Sequence, residues 1–125
     1  MNVRSSSLAK NKKQQAYQRG KWAEYLAAAM LIFKGYRILT LRYKATHGEI
    51  DIIARRGRTI VFIEVKARKS LTAGKESVTV KQRERISNAA TQFMKQRPRL
   101  SNLTSRYDIV VIVSKSLPKH IKSAW

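Results

Sequence analysis

The sequence predicts a single α/β domain, one mixed β-sheet flanked by helices. Three observations carry this. Apolar periodicity changes along the chain in the order helix, three strands, helix, strand, short tail. No internal repeat or linker divides the 125 residues into two units. Of those residues 43% are apolar, enough for a real core despite a formal net charge of +20.

The elements follow in order. Residues 1–15 are polar, basic and expected to form a mobile arm, leaving 16–125 as the folded domain. "WAEYLAAAMLIFKG", 22–35, is built of strong helix formers and closes on Gly35, a left-handed cap. Between Trp22 and Phe33 every residue except Glu24 is apolar, which predicts a helix buried all round. "YRILTLRY", 36–43, alternates as a strand. Glu49–Arg56 and Thr59–Arg68 are rich in Ile, Val and Phe and read as two more. Residues 69–78, "KSLTAGKESV", read as a loop. Thr79 and Gln82 have capping-box spacing, and the helix after them carries Ile86, Ala89, Ala90 and Phe93 on one stripe. Pro98 ends it. "YDIVVIVS", 107–114, is a nearly continuous apolar strand suited to a central position. In the tail Trp125 is expected to anchor, and His47 and His120, which lack ligand spacing, to lie on the surface.

The charge narrows the partners. With 27 basic and seven acidic side chains, the excess far exceeds what solubility requires, and a polyanion such as nucleic acid is the leading partner. A membrane partner would need a basic amphipathic helix, a lipid signal or a long apolar span, whereas the longest apolar run, Tyr25–Phe33, is half a crossing. Without cysteine there are no disulfides and no thiolate metal site. The first residues lack the apolar core of a secretory signal and read as a basic arm on a cytoplasmic protein. Their Ser- and Lys-containing, acid-free composition leaves a mitochondrial transit peptide as the lesser reading.

The scarce acids are not scattered. Glu49, Asp51 and Glu64 fall within "GEIDIIARRGRTIVFIEVKAR", 48–68, the most apolar stretch of strand. Gly57-Arg58 suits a two-residue type II′ hairpin loop, which pairs Arg56 with Thr59 and sets Asp51 opposite Glu64 and Glu49 opposite Lys66. Glu49, Asp51, Glu64 and Lys66 then share one face with Ile53, Ile60 and Phe62. Two carboxylates about 5 Å apart repel, and a hard divalent cation such as Mg²⁺ or Mn²⁺ would relieve this. The plainer reading is a solvated, salt-bridged hairpin face. Glu24 raises the same choice. It is either the partner of one of the many Arg or Lys side chains, or a third acid turned to the same cluster.

"GKWAEYLA" (20–27), "GEIDIIA" (48–54) and "FIEVKAR" (62–68) together resemble the restriction-endonuclease-like, PD-(D/E)XK, superfamily. Its Asp…Glu-x-Lys signature is matched by Asp51, Glu64 and Lys66, although Ile50 stands where a proline is usual. The closer resemblance, from about Gly20 to the tail and including "GYRIL", "VTVKQRERI" and "RYDIV", is to the YraN-like family of predicted endonucleases, which is similar to archaeal Holliday-junction resolvases. The resemblance implies a restriction-endonuclease-like fold, Asp51 and Glu64 as metal ligands and Lys66 as the catalytic lysine. It sets Glu24 in the position of the resolvases' first-helix acid and places Glu49 within the family's own motif.

The expected function is metal-dependent hydrolysis of nucleic-acid phosphodiesters, on branched or junction DNA before RNA. Lys69, Lys75, Lys81 and Arg85 are the expected phosphate contacts, and a two-fold dimer would let paired sites act on a junction. The alternative is a non-catalytic nucleic-acid-binding module, for DNA or ribosomal RNA. Tyr36, Tyr43 and Phe62 are too scattered for the stacking platform it would use.

Overall fold

The computed structural model of the chain describes residues 20–125. The expected basic arm at 1–15 and the domain start at residue 16 lie outside the described residues. Helix α1 covers 20–33 within them. Then follow β1 (Arg37–Ala45), β2 (Gly48–Arg56), β3 (Thr59–Arg68), α2 (Leu71–Glu76), α3 (Val80–Lys95), a short 3₁₀ turn, β4 (Thr104–Val113) and β5 (Lys119–Ile121). The five strands form one sheet in chain order. β3 and β4 run parallel, and the other neighbours are antiparallel. This is the expected single α/β domain with a mixed sheet.

Local chemistry explains most boundaries. α1 stops in a Schellman motif, with Gly35 at φ 91°, Tyr36 N–H donating to Leu31 O and Gly35 N–H to Ile32 O. Gly57 at φ 60° makes the two-residue hairpin loop, and the β2–β3 register pairs Arg56 with Thr59 as expected. Thr79 and Gln82 form the reciprocal capping box that starts α3. The sheet is packed on both faces. Ala27, Ala28 and Leu31 of α1 cover Ile52, Ala54, Val61, Ile63 and Val110. Ile86, Ala89, Ala90 and Phe93 of α3 cover Ile53, Ile60 and Phe62 on the other face.

Four expectations are corrected. α1 is not buried all round: only one face meets the sheet, and Trp22, Tyr25, Ile32 and Phe33 are exposed, Phe33 to 94%. Residues 69–78 are not simply a loop, because Ser70 caps the helix α2 by accepting from Ala73 N–H. Gly74 there serves close packing and not a break, since a Cβ would lie 2.4 Å from Val111 Cγ1. The tail forms β5 against β4, a strand of three residues, too short to show a period. That strand carries His120 inward, so its side chain is only 3% exposed. His47 is exposed as expected. Trp125 does anchor the tail, stacking on Tyr107 with ring centroids 5.4 Å apart.

Candidate functional site: a buried carboxylate pair

The β2–β3 ladder stops at Ile52↔Ile63. Beyond it the Val65 N–H donates to Asp51 Oδ2 at 2.8 Å, so the Asp51 side chain takes the place of a ladder acceptor between the strands. Asp51 and Glu64 line one cleft there, close enough for the charge of Glu64 to act on Asp51. Burial pushes the Asp51 carboxyl up to about 7, and the charges of Glu64 and Glu24 add to this. The Val65 amide and Lys66 pull the other way without prevailing. Burial raises Glu64 too, against the pull of Lys66, whose Nζ lies 3.3 Å from Glu64 Oε1. Both carboxyls are thus raised together, as neighbouring buried acids are.

The flanking elements complete the site. Gly48 lets the β1–β2 turn press against α3, since a Cβ there would lie 2.0 Å from the Arg85 carbonyl oxygen. This close approach brings Glu49, Asp51, Glu64, Gln82 and Arg85 around one cleft of about 80 Å³. A second cleft of about 280 Å³ opens on the α1 side and is lined by Glu24, Arg42, Lys44, Glu49 and Asp51. Glu49 is exposed and pairs in the ladder with Lys44 of β1, not with Lys66 as the extrapolated register had it. Arg42 stands between the pairs Leu41↔Ile52 and Tyr43↔Ile50, across from Asp51. Its φ of 53° is left-handed, which costs a residue with a Cβ about 1 kcal/mol. Its Nε donates to Glu24 Oε2 at 2.5 Å. Glu24 thus has the basic partner that the plainer reading required, while still lining the Asp51 cleft.

Among the described residues no three His, Cys, Asp or Glu side chains converge as a ready cation cage. The donor set is the Asp51–Glu64 pair. It suits a hard, hydrated dication, which needs few protein oxygens and retains waters. Of the expected phosphate contacts, Arg85 lines the cleft, Lys81 is exposed on the first turn of α3, and Lys69 and Lys75 are exposed around α2.

A second polar centre escaped the sequence reading. Asp108 on β4 is fully buried. It accepts from Arg106 Nε at 2.9 Å and Nη2 at 2.8 Å, and from the Ser123 N–H at 3.0 Å. His120 Nε2 lies 2.6 Å from its Oδ2, and His120 Nδ1 lies 2.7 Å from Lys34 Nζ. With Nε2–H donating to Asp108, Nδ1 is left to accept from the ammonium. Burial pushes the Asp108 carboxyl up, but these donors outweigh it and hold it at about 2. The one local signal was Arg106 two residues before Asp108, on the same strand face.

The fold and site define a class: a small, strongly basic α/β domain that buries a carboxylate pair beside a lysine. The chain belongs to the family described as Uncharacterised protein family UPF0102, the YraN-like group, which it matches over residues 23–112. It is 46% identical over 113 residues to the UPF0102 protein Mmar10_3014 of Maricaulis maris, covering 90% of this chain and 89% of that one. It is 42% identical over 113 residues to the UPF0102 protein RHE_CH00320 of Rhizobium etli, covering 90% and 93%. It is 45% identical over 116 residues to the UPF0102 protein amb4503 of Paramagnetospirillum magneticum, covering 90% of each. Among the described residues no helix is long and apolar enough to cross a membrane.

Proposed function

We propose that this domain is a metal-dependent endonuclease that hydrolyses nucleic-acid phosphodiesters, with branched or junction DNA as its preferred substrate. The observation that carries the reading is the part-buried Asp51 and Glu64 side chains lining one cleft, with Lys66 3.3 Å from Glu64. Asp51 and Glu64 would hold Mg²⁺ or Mn²⁺, which supplies a polarised phosphoryl oxygen and a water of lowered pKa. The chain's own groups do the rest. Lys66, largely buried, presents an ammonium that positions the attacking water or stabilises charge developing on phosphate. Arg85, on the cleft wall, and Lys81, one turn earlier, bind the flanking phosphates without reading sequence. Glu49 stays exposed at the mouth, where its charge raises Glu64 and so favours a cation between the acids. The net charge of +20 gathers the polyanion.

The test is incubation of the full chain with labelled junction, flap and linear DNA and RNA in Mg²⁺, Mn²⁺ or EDTA. Cleavage that requires the cation and vanishes in Asp51→Asn is expected. Undiminished nucleic-acid binding with no cleavage of any substrate in either metal would leave the non-catalytic binding module as the function.

A further inference from the structure

At the far end of the α3 face of the sheet lies a cavity of about 440 Å³, lined by Arg37, Arg55, Arg97 and Arg99 with Leu39, Phe93 and Leu100. None of the seven acidic residues of the chain lines it. Arg37 and Arg55 are direct partners in the β1–β2 ladder, where like charges destabilise a sheet. Among the described residues neither is ion-paired to a carboxylate. Two of the four guanidinia are held in place by neutral groups. Arg55 Nε donates to Gly57 O at 2.9 Å, and Arg97 donates to Phe93 O while its guanidinium carbon sits 3.8 Å from the Phe93 ring centroid. Arg37 and Arg99 are exposed and make no hydrogen bond with the described residues. The arrangement is the electrostatic converse of the Asp51–Glu64 pair: like charges are brought together and their counter-charge is not in the described chain.

We infer that this pocket is a second phosphate-binding site that takes a phosphate carried on a nucleotide. Guanidinium forks bind phosphate oxygens bidentately. Leu39 and Leu100, half-buried, and the face of the Arg97 guanidinium that lies over the buried Phe93 supply the surface that a base or sugar would cover, as bare inorganic phosphate would not. Arg85 on the acidic cleft and Phe93 on this pocket are eight residues apart on α3, which sets the two roughly 12 Å apart along the helix. A strand lying along α3 would reach both, and a free nucleotide would fill this one alone. The inference does not rest on hydrolysis at Asp51 and Glu64.

The experiment uses the full chain in EDTA, so that cleavage plays no part. Binding of a labelled single-stranded oligonucleotide is compared for wild type, the double variant Arg37→Ala/Arg99→Ala, and a charge-matched control, Lys119→Ala/Lys122→Ala, at two further exposed sites. The pocket variant should lose roughly tenfold in affinity and show a salt slope shallower by about one, the control much less. Its thermal midpoint should be unchanged or higher, because a repulsion is relieved, and this verifies the fold. In a second arm, millimolar thymidine monophosphate is added, with thymidine as the uncharged comparison. A midpoint rise in wild type but not in the pocket variant, with thymidine inert, identifies free nucleotide as a ligand. A selective loss in the first arm alone identifies a strand. Equal losses in the two double variants, together with no selective rise, would overturn the site. Because every measurement is made without a divalent cation, a failed nuclease reading leaves this result standing.

Discussion

Asp51 and Asp108 are both aspartates buried in one sheet, yet their surroundings drive them in opposite directions. Asp108 receives two guanidinium N–H groups, an imidazole nitrogen and a backbone N–H, and is held at about 2. Asp51 receives one backbone N–H and faces Glu64, and is pushed up to about 7. Burial opposes the charged form at both sites, so the difference lies in the donors. At Asp108 the donors come from β4, β5 and the tail, and the carboxylate ties those segments together. At Asp51 the chain supplies a second acid where a cation would serve stability better. In a fold with 27 basic side chains, a part-buried acid raised by a second acid is locally unfavourable to stability.

This contrast breaks or sharpens under substitution. The largest effect belongs to Asp108→Asn, which leaves Arg106 and His120 facing a neutral amide. It should lower stability by about 3–5 kcal/mol in urea denaturation, as breaking a buried pair does, with nuclease activity per folded molecule retained. A loss below roughly 1 kcal/mol would reduce Asp108 to an ordinary surface pair.

Asp51→Asn should do the reverse. In EDTA at pH 8, where Asp51 is charged, the variant should be as stable as wild type or up to about 3 kcal/mol more stable, the scale of two like charges about 5 Å apart at an effective dielectric of 20. Cation-dependent cleavage should disappear. Mg²⁺ at a hundredfold over its Kd should stabilise the wild type by about 2.7 kcal/mol and the variant by little. A metal-free variant markedly less stable than wild type, with no Mg²⁺ effect on either, would sink the carboxylate-pair site.

Acid separates the two centres by sign. Asp108 is lowered in the folded state, so its contribution, about 2 kcal/mol at most, is present above pH 4 and is lost as pH falls through 2. Asp51 is raised, so the folded state holds its proton more tightly. Its contribution is present below pH 4 and is lost as pH rises through about 7. Stability of the metal-free protein measured from pH 2 to 8 should therefore lose its acid limb in Asp108→Asn and its decline between pH 4 and 7 in Asp51→Asn.

The smallest effect is expected at Glu24, whose ion pair with Arg42 is part-exposed, 16% at the glutamate side chain and 32% at the arginine. Glu24→Gln should reduce stability by about 1 kcal/mol. It should also lower the Asp51 titration followed by NMR, since the Glu24 charge helps raise it. An unmoved Asp51 titration would detach Glu24 from the site.

How much of the site was legible depends on how local its cause is. The closeness of Asp51 and Glu64 could be read because one two-residue turn at Gly57 sets the register up to Ile52↔Ile63, one residue short of them. The extrapolation did not reach Glu49, three residues beyond the last paired position, because the Asp51 side chain interrupts the ladder. The inward turn of His120 was hidden, since three residues of β5 carry no period and their pairing depends on β4. The Arg37–Arg55–Arg97–Arg99 pocket was invisible for a related reason. Its members come from two strands and the end of α3, and in the sequence they are ordinary basic residues among many.

By itself the sequence determined the order of α1, β1, β2, β3, α3 and β4, the caps at Gly35 and Thr79, the turn that starts the hairpin register and the stripe of α3 that meets the sheet. Each depends on residues a few positions apart, where backbone sterics and periodicity act directly. Only the tertiary structure decided which acid is neutralised and which is not. With 27 basic residues for seven acids, composition offers a partner to every carboxylate. Strand order and helix packing then brought Arg42 to Glu24 and Arg106 and His120 to Asp108, and among the described residues left Asp51 and Glu64 together with Lys66 as their one ion-pair partner, at Glu64. Charge pairing acts over a few ångströms, and those distances are set by contacts between segments far apart in the chain.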